Sequence, residues 1–222
     1  MPADTSLPIL ALLGAVHGLN PAMGWLFAVS LGLQEQRRTA VWRALVPLAA
    51  GHALAIGAVV ILAAALGLVV PLAVLKWITA AALLAFGGLR FFRHRHPRAA
   101  GMRVGARDLG IWSFLMASAH GAGLMTLPFV LGSAAEVSAA HSHAAHMPAP
   151  FAAGATGATF MATNGGFLAV LAHTAGYLVV AGVLAVIVYE KLGLRLLRTA
   201  WVNLDLVWAA ALIVTALLTP LL

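Results

Sequence analysis

Long apolar runs separated by short charged connections constrain the fold of this chain more than any other feature. An α-helix needs roughly 20 residues to cross a bilayer. Six segments approach that length, and they cover residues 7–31, 43–66, 70–92, 109–132, 161–188 and 199–220. Since 63% of the 222 residues are hydrophobic and 9% are charged, a water-soluble domain is not expected. The sequence therefore predicts an all-α integral membrane protein with six transmembrane helices.

The positive charges predict how these helices are oriented. Of the 13 Lys and Arg residues, all except Lys76 lie in the connections after spans one, three and five. Because such connections stay in the cytoplasm, we expect both termini outside, in the inner membrane of a bacterium. The net charge of +7 is then an orientation signal that contacts lipid headgroups, and nucleic acid is not an expected partner. The N-terminus has no basic n-region, so we expect a retained first span and no cleaved signal peptide.

Short motifs recur in the same order in the two halves of the chain. Span one contains HGLNP and span four HGAGLMTLP, while span two contains GHALA and span five AHTAG. Each half holds three spans, so the second half must insert upside down, as in inverted-repeat transporters. We predict two three-helix repeats in one membrane domain, residues 1–96 and 97–222, with an exterior connection at 133–160.

Four histidines lie near the middle of four different spans: His17, His52, His120 and His173. Each lies about 10 to 12 residues from the start of its helix, close to the centre of a core about 30 Å thick. One intramembrane histidine is usually an interhelical hydrogen-bond partner, but four at one depth predict a shared site. Neutral imidazole binds Ni, Co, Zn, Cu or Fe, and two axial pairs would suit haem b. A metal-free proton relay is the other interpretation.

Polar residues and prolines near the histidines have predicted supporting roles. Asn20 lies one turn beyond the first histidine and is placed to hydrogen-bond a ligand ring or a substrate. Asp205, with Asn203, is a candidate to orient a histidine, carry a proton or bind an ion, unless it faces the cytoplasmic interface. Pro21 and Pro128 are candidate helix breaks in spans one and four.

The exterior connection contains histidines of its own: His141, His143 and His146, followed by Met147. Short His-rich tracts can capture transition metals, here as a weak and flexible collecting site. The alternative is a low-complexity polar loop with no such role. The chain has no cysteine, which excludes disulfides, thiolate metal sites, iron–sulfur clusters and c-type haem.

The architecture and two motifs resemble the LysE-type exporter superfamily, which includes NicO-type nickel and cobalt exporters, TauE/SafE permeases and CcdA electron carriers. The motifs are GAVHGLNPAMG and SAHGAGLMTLP, and the resemblance implies six helices in two inverted repeats and an export function. Without cysteine, CcdA-type thiol chemistry is excluded. The HX4D signature of nickel permeases is absent, since Ala22 stands five residues after His17. The chain thus resembles the superfamily but none of its characterised branches.

Three functions are compatible with these residues. The first is a transporter of a divalent transition metal through the four-histidine site, where protonation of the rings would release the ion. The second is a membrane-embedded metalloprotein, or a b-type haem redox protein or enzyme, that uses the same histidines. An enzyme is less expected, because Asp205 is the only candidate carboxylate at depth. The third is a proton-coupled exporter of a small organic solute, and a homo-oligomer is compatible with each.

Overall fold

The computed structural model describes residues 3–68, 70–92, 105–142, 159–160, 164–192 and 204–219, and every regular element in them is helical. The helices are α1 (Ala3–Leu19), α2 (Trp25–Glu35), α3 (Arg38–Gly67), α4 (Leu72–Phe92), α5 (Ala106–Ala119), α6 (Ala122–Ser142), α7 (Asn164–Ile187) and α8 (Leu204–Leu218). A 3-10 turn, Pro21–Met23, joins α1 to α2, and a π-helical turn, Val188–Leu192, extends α7. The predicted all-α class is confirmed for this part of the chain.

Two of the described helices are long and apolar enough to cross a bilayer, Arg38–Gly67 and Asn164–Lys191. A third span results if α5 and the part of α6 up to Ser138, which meet at 63°, are taken together. Ser6–Leu19 and Ala73–Ala85 are shorter apolar helices. The described helices are therefore compatible with a membrane protein, while the total of six spans, the two repeats and the exterior termini stay predictions.

The outer surface of the described helices is apolar. Large side chains with 65 to 69% of their surface exposed include Val46, Leu54, Ile61, Trp77 and Phe167. Scattered apolar residues are normal on a soluble surface, but contiguous apolar faces mark contact with lipid or another protein. This surface is the one expected of helices that face hydrocarbon.

The first predicted span is interrupted near its middle. α1 ends at Leu19, and Asn20 has the extended backbone (φ −72°, ψ 118°) that a following proline favours. Pro21 has no N–H with which to continue the helix. Gly24 then takes φ 112°, a left-handed conformation that suits glycine, before α2 begins.

The fourth predicted span is also interrupted, but at a different place from the one expected. α5 ends at Ala119, and Gly121 takes φ 71° before α6 begins. Pro128, the predicted break, lies inside α6. The positive φ of Gly121 redirects the chain, whereas a proline inside a helix removes a single hydrogen bond that the surrounding turns can tolerate.

The three most extensive helix contacts join α1 with α7, α3 with α5, and α4 with α8. Glycines bring the first two pairs into near backbone contact. A Cβ at Gly14 or Gly176 would collide with a backbone carbonyl across the α1–α7 pair, and one at Gly51 with a carbonyl of α5. Small residues allow apolar helices to pack this closely.

We expect the Gly176→Ala variant to lose about 1–3 kcal/mol of stability, because the added methyl group overpacks the α1–α7 contact. Gly57→Ala on α3 is the matched control, since no atom lies within 4 Å of a Cβ built there. Thermal unfolding of both variants in one detergent measures the difference. Equal melting temperatures would show that the close α1–α7 contact is not required.

Candidate histidine site

Three of the four predicted histidines are brought together inside the molecule. His17 lies in the last turn of α1, His52 in the middle of α3 and His173 in the middle of α7. All three side chains have 0% of their surface exposed. The first predicted span breaks three residues after His17, so the turn that holds this ring is also the turn that ends the helix.

The three rings form a compact triangle, which we call the histidine cluster (His17, His52 and His173). Ring centroids lie 4.9 Å apart for His17 and His173, 5.4 Å for His52 and His173, and 5.8 Å for His17 and His52. The rings of His52 and His173 are stacked with 12° between their planes. His17 meets both edge-on, at 65° and 72°.

Hydrogen bonding favours one tautomer for two of the histidines. His17 Nδ1 lies 3.1 Å from the carbonyl oxygen of Leu13, and His120 Nδ1 lies 2.8 Å from that of Met116. A nitrogen facing a carbonyl oxygen must carry the proton, so Nδ1 donates and Nε2 holds the lone pair. In both rings Nε2 is therefore the nitrogen able to accept a proton or bind a metal ion.

His120 is connected to the first-span break through Asn20. The amide oxygen of Asn20 accepts a hydrogen bond from the N–H of Ala22 at 2.9 Å. This bond orients the amide nitrogen of Asn20 toward His120 Nε2, 3.4 Å away. Asn20, predicted to hydrogen-bond a ligand ring or a substrate, thus pairs with the histidine of the other half of the chain.

Tyr177 links the histidine cluster to the same break. Its ring stacks on His52 with centroids 4.2 Å apart and planes 10° apart. Its hydroxyl is buried and donates a hydrogen bond to the carbonyl of Met23 at 2.8 Å. Tyr177 was not predicted from the sequence as a site residue. The available signal was its position four residues after His173, which places both on one face of α7.

Side chains from α5 and α7 bind the carbonyl groups that the break leaves without helical partners. Trp112 Nε1 donates to the carbonyl of Ala22 at 2.9 Å, as Tyr177 does to Met23. In hydrocarbon an unpaired backbone carbonyl costs several kcal/mol. These two aromatic donors therefore stabilise the interrupted helix, and Trp112 too was missed from sequence.

His52 lacks the contact with a backbone carbonyl that His17 and His120 make. Both of its ring nitrogens are buried and have no hydrogen-bond partner among the described residues. Buried polar atoms are nearly always paired, and an exception calls for an explanation. An imidazole held in place by stacking alone keeps its nitrogens available for a ligand or a proton.

The spacing of the histidine cluster suits a metal ion, whereas the orientation of its rings does not. Three imidazoles on one tetrahedral ion would have centroids about 5 Å apart, close to the observed 4.9 to 5.8 Å. Among the described residues, however, no three His, Asp or Glu side chains are arranged to hold a metal ion. Metal binding would therefore require the rings to turn about their side-chain torsions.

Haem b does not fit this packing. A porphyrin ring must pass between the two imidazoles that bind its iron from opposite faces. His52 and His173 are stacked directly on each other at 5.4 Å, and His17 packs edge-on against both. No space for a macrocycle separates the members of the histidine cluster.

The remaining predicted residues are only partly covered by the structure. Asp205 belongs to the first turn of α8, and His141 belongs to the last turn of α6. The residues Asn203, His143, His146 and Met147 lie outside the described residues.

Comparison with protein-family models, with curated proteins and with solved structures finds no match.

Tyr177→Phe should lower stability by about 1–3 kcal/mol, because it leaves the buried carbonyl of Met23 unpaired while keeping the stack on His52. Tyr189→Phe, at the only other tyrosine of the chain, is the matched control and should change stability less. Thermal unfolding compares the two variants. An equal effect would show that the hydroxyl of Tyr177 does not stabilise the break.

Proposed function

We propose that this protein is a membrane carrier that moves a divalent transition-metal ion through the histidine cluster, with His120, the partner of Asn20, as a candidate fourth ligand. The observation that carries the proposal is the triangle of three fully buried imidazoles at 4.9 to 5.8 Å. The unpaired nitrogens of His52 support it further.

The neutral ligands of the histidine cluster suit a transported ion better than a permanently bound one. The ligands are neutral imidazoles, so a bound divalent ion brings its full charge into an apolar interior. Charged thiolate or carboxylate ligands would offset that cost and hold the ion tightly. A neutral set holds it more weakly, and protonation of the rings competes with binding and promotes release.

The helix arrangement supports two inverted repeats of the kind found in the LysE-type superfamily. The interrupted spans are the first of each proposed half. If each helix is replaced by its counterpart in the other proposed half, the α1–α7 pair becomes the α3–α5 pair. The α4–α8 pair stays the same. Discontinuous helices around a site at mid-depth are typical of secondary transporters. We propose six spans, with the arginine-rich connections in the cytoplasm of a bacterium.

The direct test is metal binding by a cluster variant in which His52 and His173 are both alanine. The native protein, dialysed to equilibrium against Ni²⁺, Co²⁺, Zn²⁺ or Cu²⁺, should bind about one ion per chain. The double variant should bind much less metal, because it removes two of the three imidazoles of the histidine cluster. Alanine at His94 and His96, two histidines outside the cluster, is the matched control and should leave binding unchanged.

Elemental analysis and a visible spectrum of the purified proteins give the result. Stoichiometric metal in the cluster variant would overturn the proposal, and a Soret band would replace it with a haem protein. No metal in any variant would favour the proton-coupled carrier of an organic solute. Asparagine at the same two positions is a second variant if the alanine protein does not fold.

A further inference from the structure

A groove of about 680 Å³ runs along the outer surface of the described helices, between α3 and α7. Its lining residues are apolar, and they include Leu45, Val46 and Ala49 from α3 and Val179 and Val183 from α7. Spacings of three and four residues place each set on one face of its helix. We call it the α3–α7 groove.

Gly182 lies at the floor of the α3–α7 groove. A Cβ built on Gly182 would lie 3.2 Å from Leu45 Cδ1 and 3.6 Å from the ring of Trp42. Leu45 is buried, whereas Val46 and Val179 at the rims have 69 and 65% of their surface exposed. The groove is therefore open along its side, and in a bilayer that side faces the acyl chains.

The α3–α7 groove has the length and the volume for an acyl chain of a phospholipid. From Arg38 to Ala49, α3 rises about 16 Å, which is about half of a hydrocarbon core about 30 Å thick. An apolar cavity of about 150 Å³ holds benzene, so a groove of about 680 Å³ accommodates a much longer hydrocarbon. A lipid with its phosphate beside Arg38 would place a chain along the groove.

An ion pair between α3 and α7 lies at one end of the groove. Arg38 precedes Trp42 by four residues, on the groove face of α3. Its Nε lies 3.0 Å from Oε1 of Glu190, in the π-helical turn that extends α7. Both side chains are accessible, with 57 and 37% of their surface exposed. Because a guanidinium has five N–H donors, Arg38 can bind Glu190 and a phosphate group together.

The helix ends around this ion pair have an excess of positive charge. Arg43 pairs with Glu35, as Arg38 does with Glu190. The described ends of α2, α3 and α7 nevertheless carry four cations and two carboxylates, namely Arg37, Arg38, Arg43, Lys191, Glu35 and Glu190. Trp42 is 49% exposed, as expected of an aromatic side chain at the level of the headgroups. Charge and aromatic position both favour an anionic headgroup here.

We propose that the α3–α7 groove binds one anionic phospholipid, with an acyl chain along the apolar lining and the phosphate on Arg38. Basic pockets between membrane helices bind anionic headgroups in this way. The proposal goes beyond metal transport and does not depend on it. Since α3 carries His52 and α7 carries His173, the lipid would bridge two of the helices that hold the histidine cluster.

Native mass spectrometry of the full-length protein, delipidated in detergent, tests the proposal. The added lipids are phosphatidylglycerol, which is anionic, and phosphatidylcholine with the same acyl chains. One phosphatidylglycerol should bind about fivefold more tightly than one phosphatidylcholine, the effect of one cation near a headgroup. Equal binding of the two lipids would overturn the proposal. A lipid-free dimer that phosphatidylglycerol does not dissociate would assign the groove to a second copy and overturn it too.

Two substitutions that break the same ion pair separate its structural role from lipid binding. Arg38→Gln should weaken phosphatidylglycerol binding about fivefold, whereas Glu190→Gln should keep or strengthen it, because the guanidinium is released for the phosphate. Arg107→Gln is the matched control, at an exposed arginine of α5, which packs against α3 at Gly51 and not at the groove. An equal loss in Arg38→Gln and in either of the other two variants would overturn the role of Arg38.

Ala49→Phe tests the position of the acyl chain. The added ring occupies the groove, so phosphatidylglycerol binding should fall about fivefold or more. Ala58→Phe, at an exposed residue further along α3 and outside the groove, is the matched control and should bind as the native protein does. Equal binding by the two variants would overturn the assignment of the groove. Val179→Phe, at an exposed rim residue of α7, repeats the test if Ala49→Phe does not fold.

Discussion

The structure depends on one constraint: inside an apolar interior, every backbone group at a helix break needs a partner from the protein. The break after α1 meets this constraint with Asn20, Trp112 and Tyr177. The two aromatic donors lie 90 and 154 positions away from the carbonyls that they bind. The interrupted conformation of the first half is therefore stabilised by side chains of the second half. Because Tyr177 also stacks on His52, the break and the histidine cluster are stabilised by the same side chain.

Charge determines what such a cluster can hold. Two unit positive charges 5 Å apart, at an effective dielectric constant of 20, repel by about 3 kcal/mol, and the ring centroids are separated by 4.9 to 5.8 Å. A repulsion of this size corresponds to a change in affinity of about a hundredfold. A proton on one ring would therefore weaken metal binding by the others, even if it did not occupy a ligand nitrogen. If the cluster binds a metal ion as proposed, proton–metal exchange is expected, because the histidine cluster contains no carboxylate among the described residues.

The helical class, the apolar surface and the break at Pro21 could be predicted because they depend on composition and on a residue that lacks an N–H. The convergence of His17, His52 and His173 could be predicted because each lies at a similar distance from the start of its predicted span. The break at Gly121 could not be predicted, since a positive φ at one of 22 glycines leaves no local signature. The Asn20–His120 and Tyr177–His52 contacts depend on how each helix is rotated about its axis. Hydropathy does not report that rotation when a helix is apolar on all sides.

The glycine contacts described above have a mechanical consequence. α1 and α7 touch backbone to backbone, as do α3 and α5, so each pair should move as one stiff rod. One rod carries His17, His173 and Tyr177, and the other carries His52 and Trp112. Every ring contact with His52 therefore crosses from one rod to the other. An ion bound by imidazoles of both rods would hold the two rods together, and its release would allow them to move relative to each other.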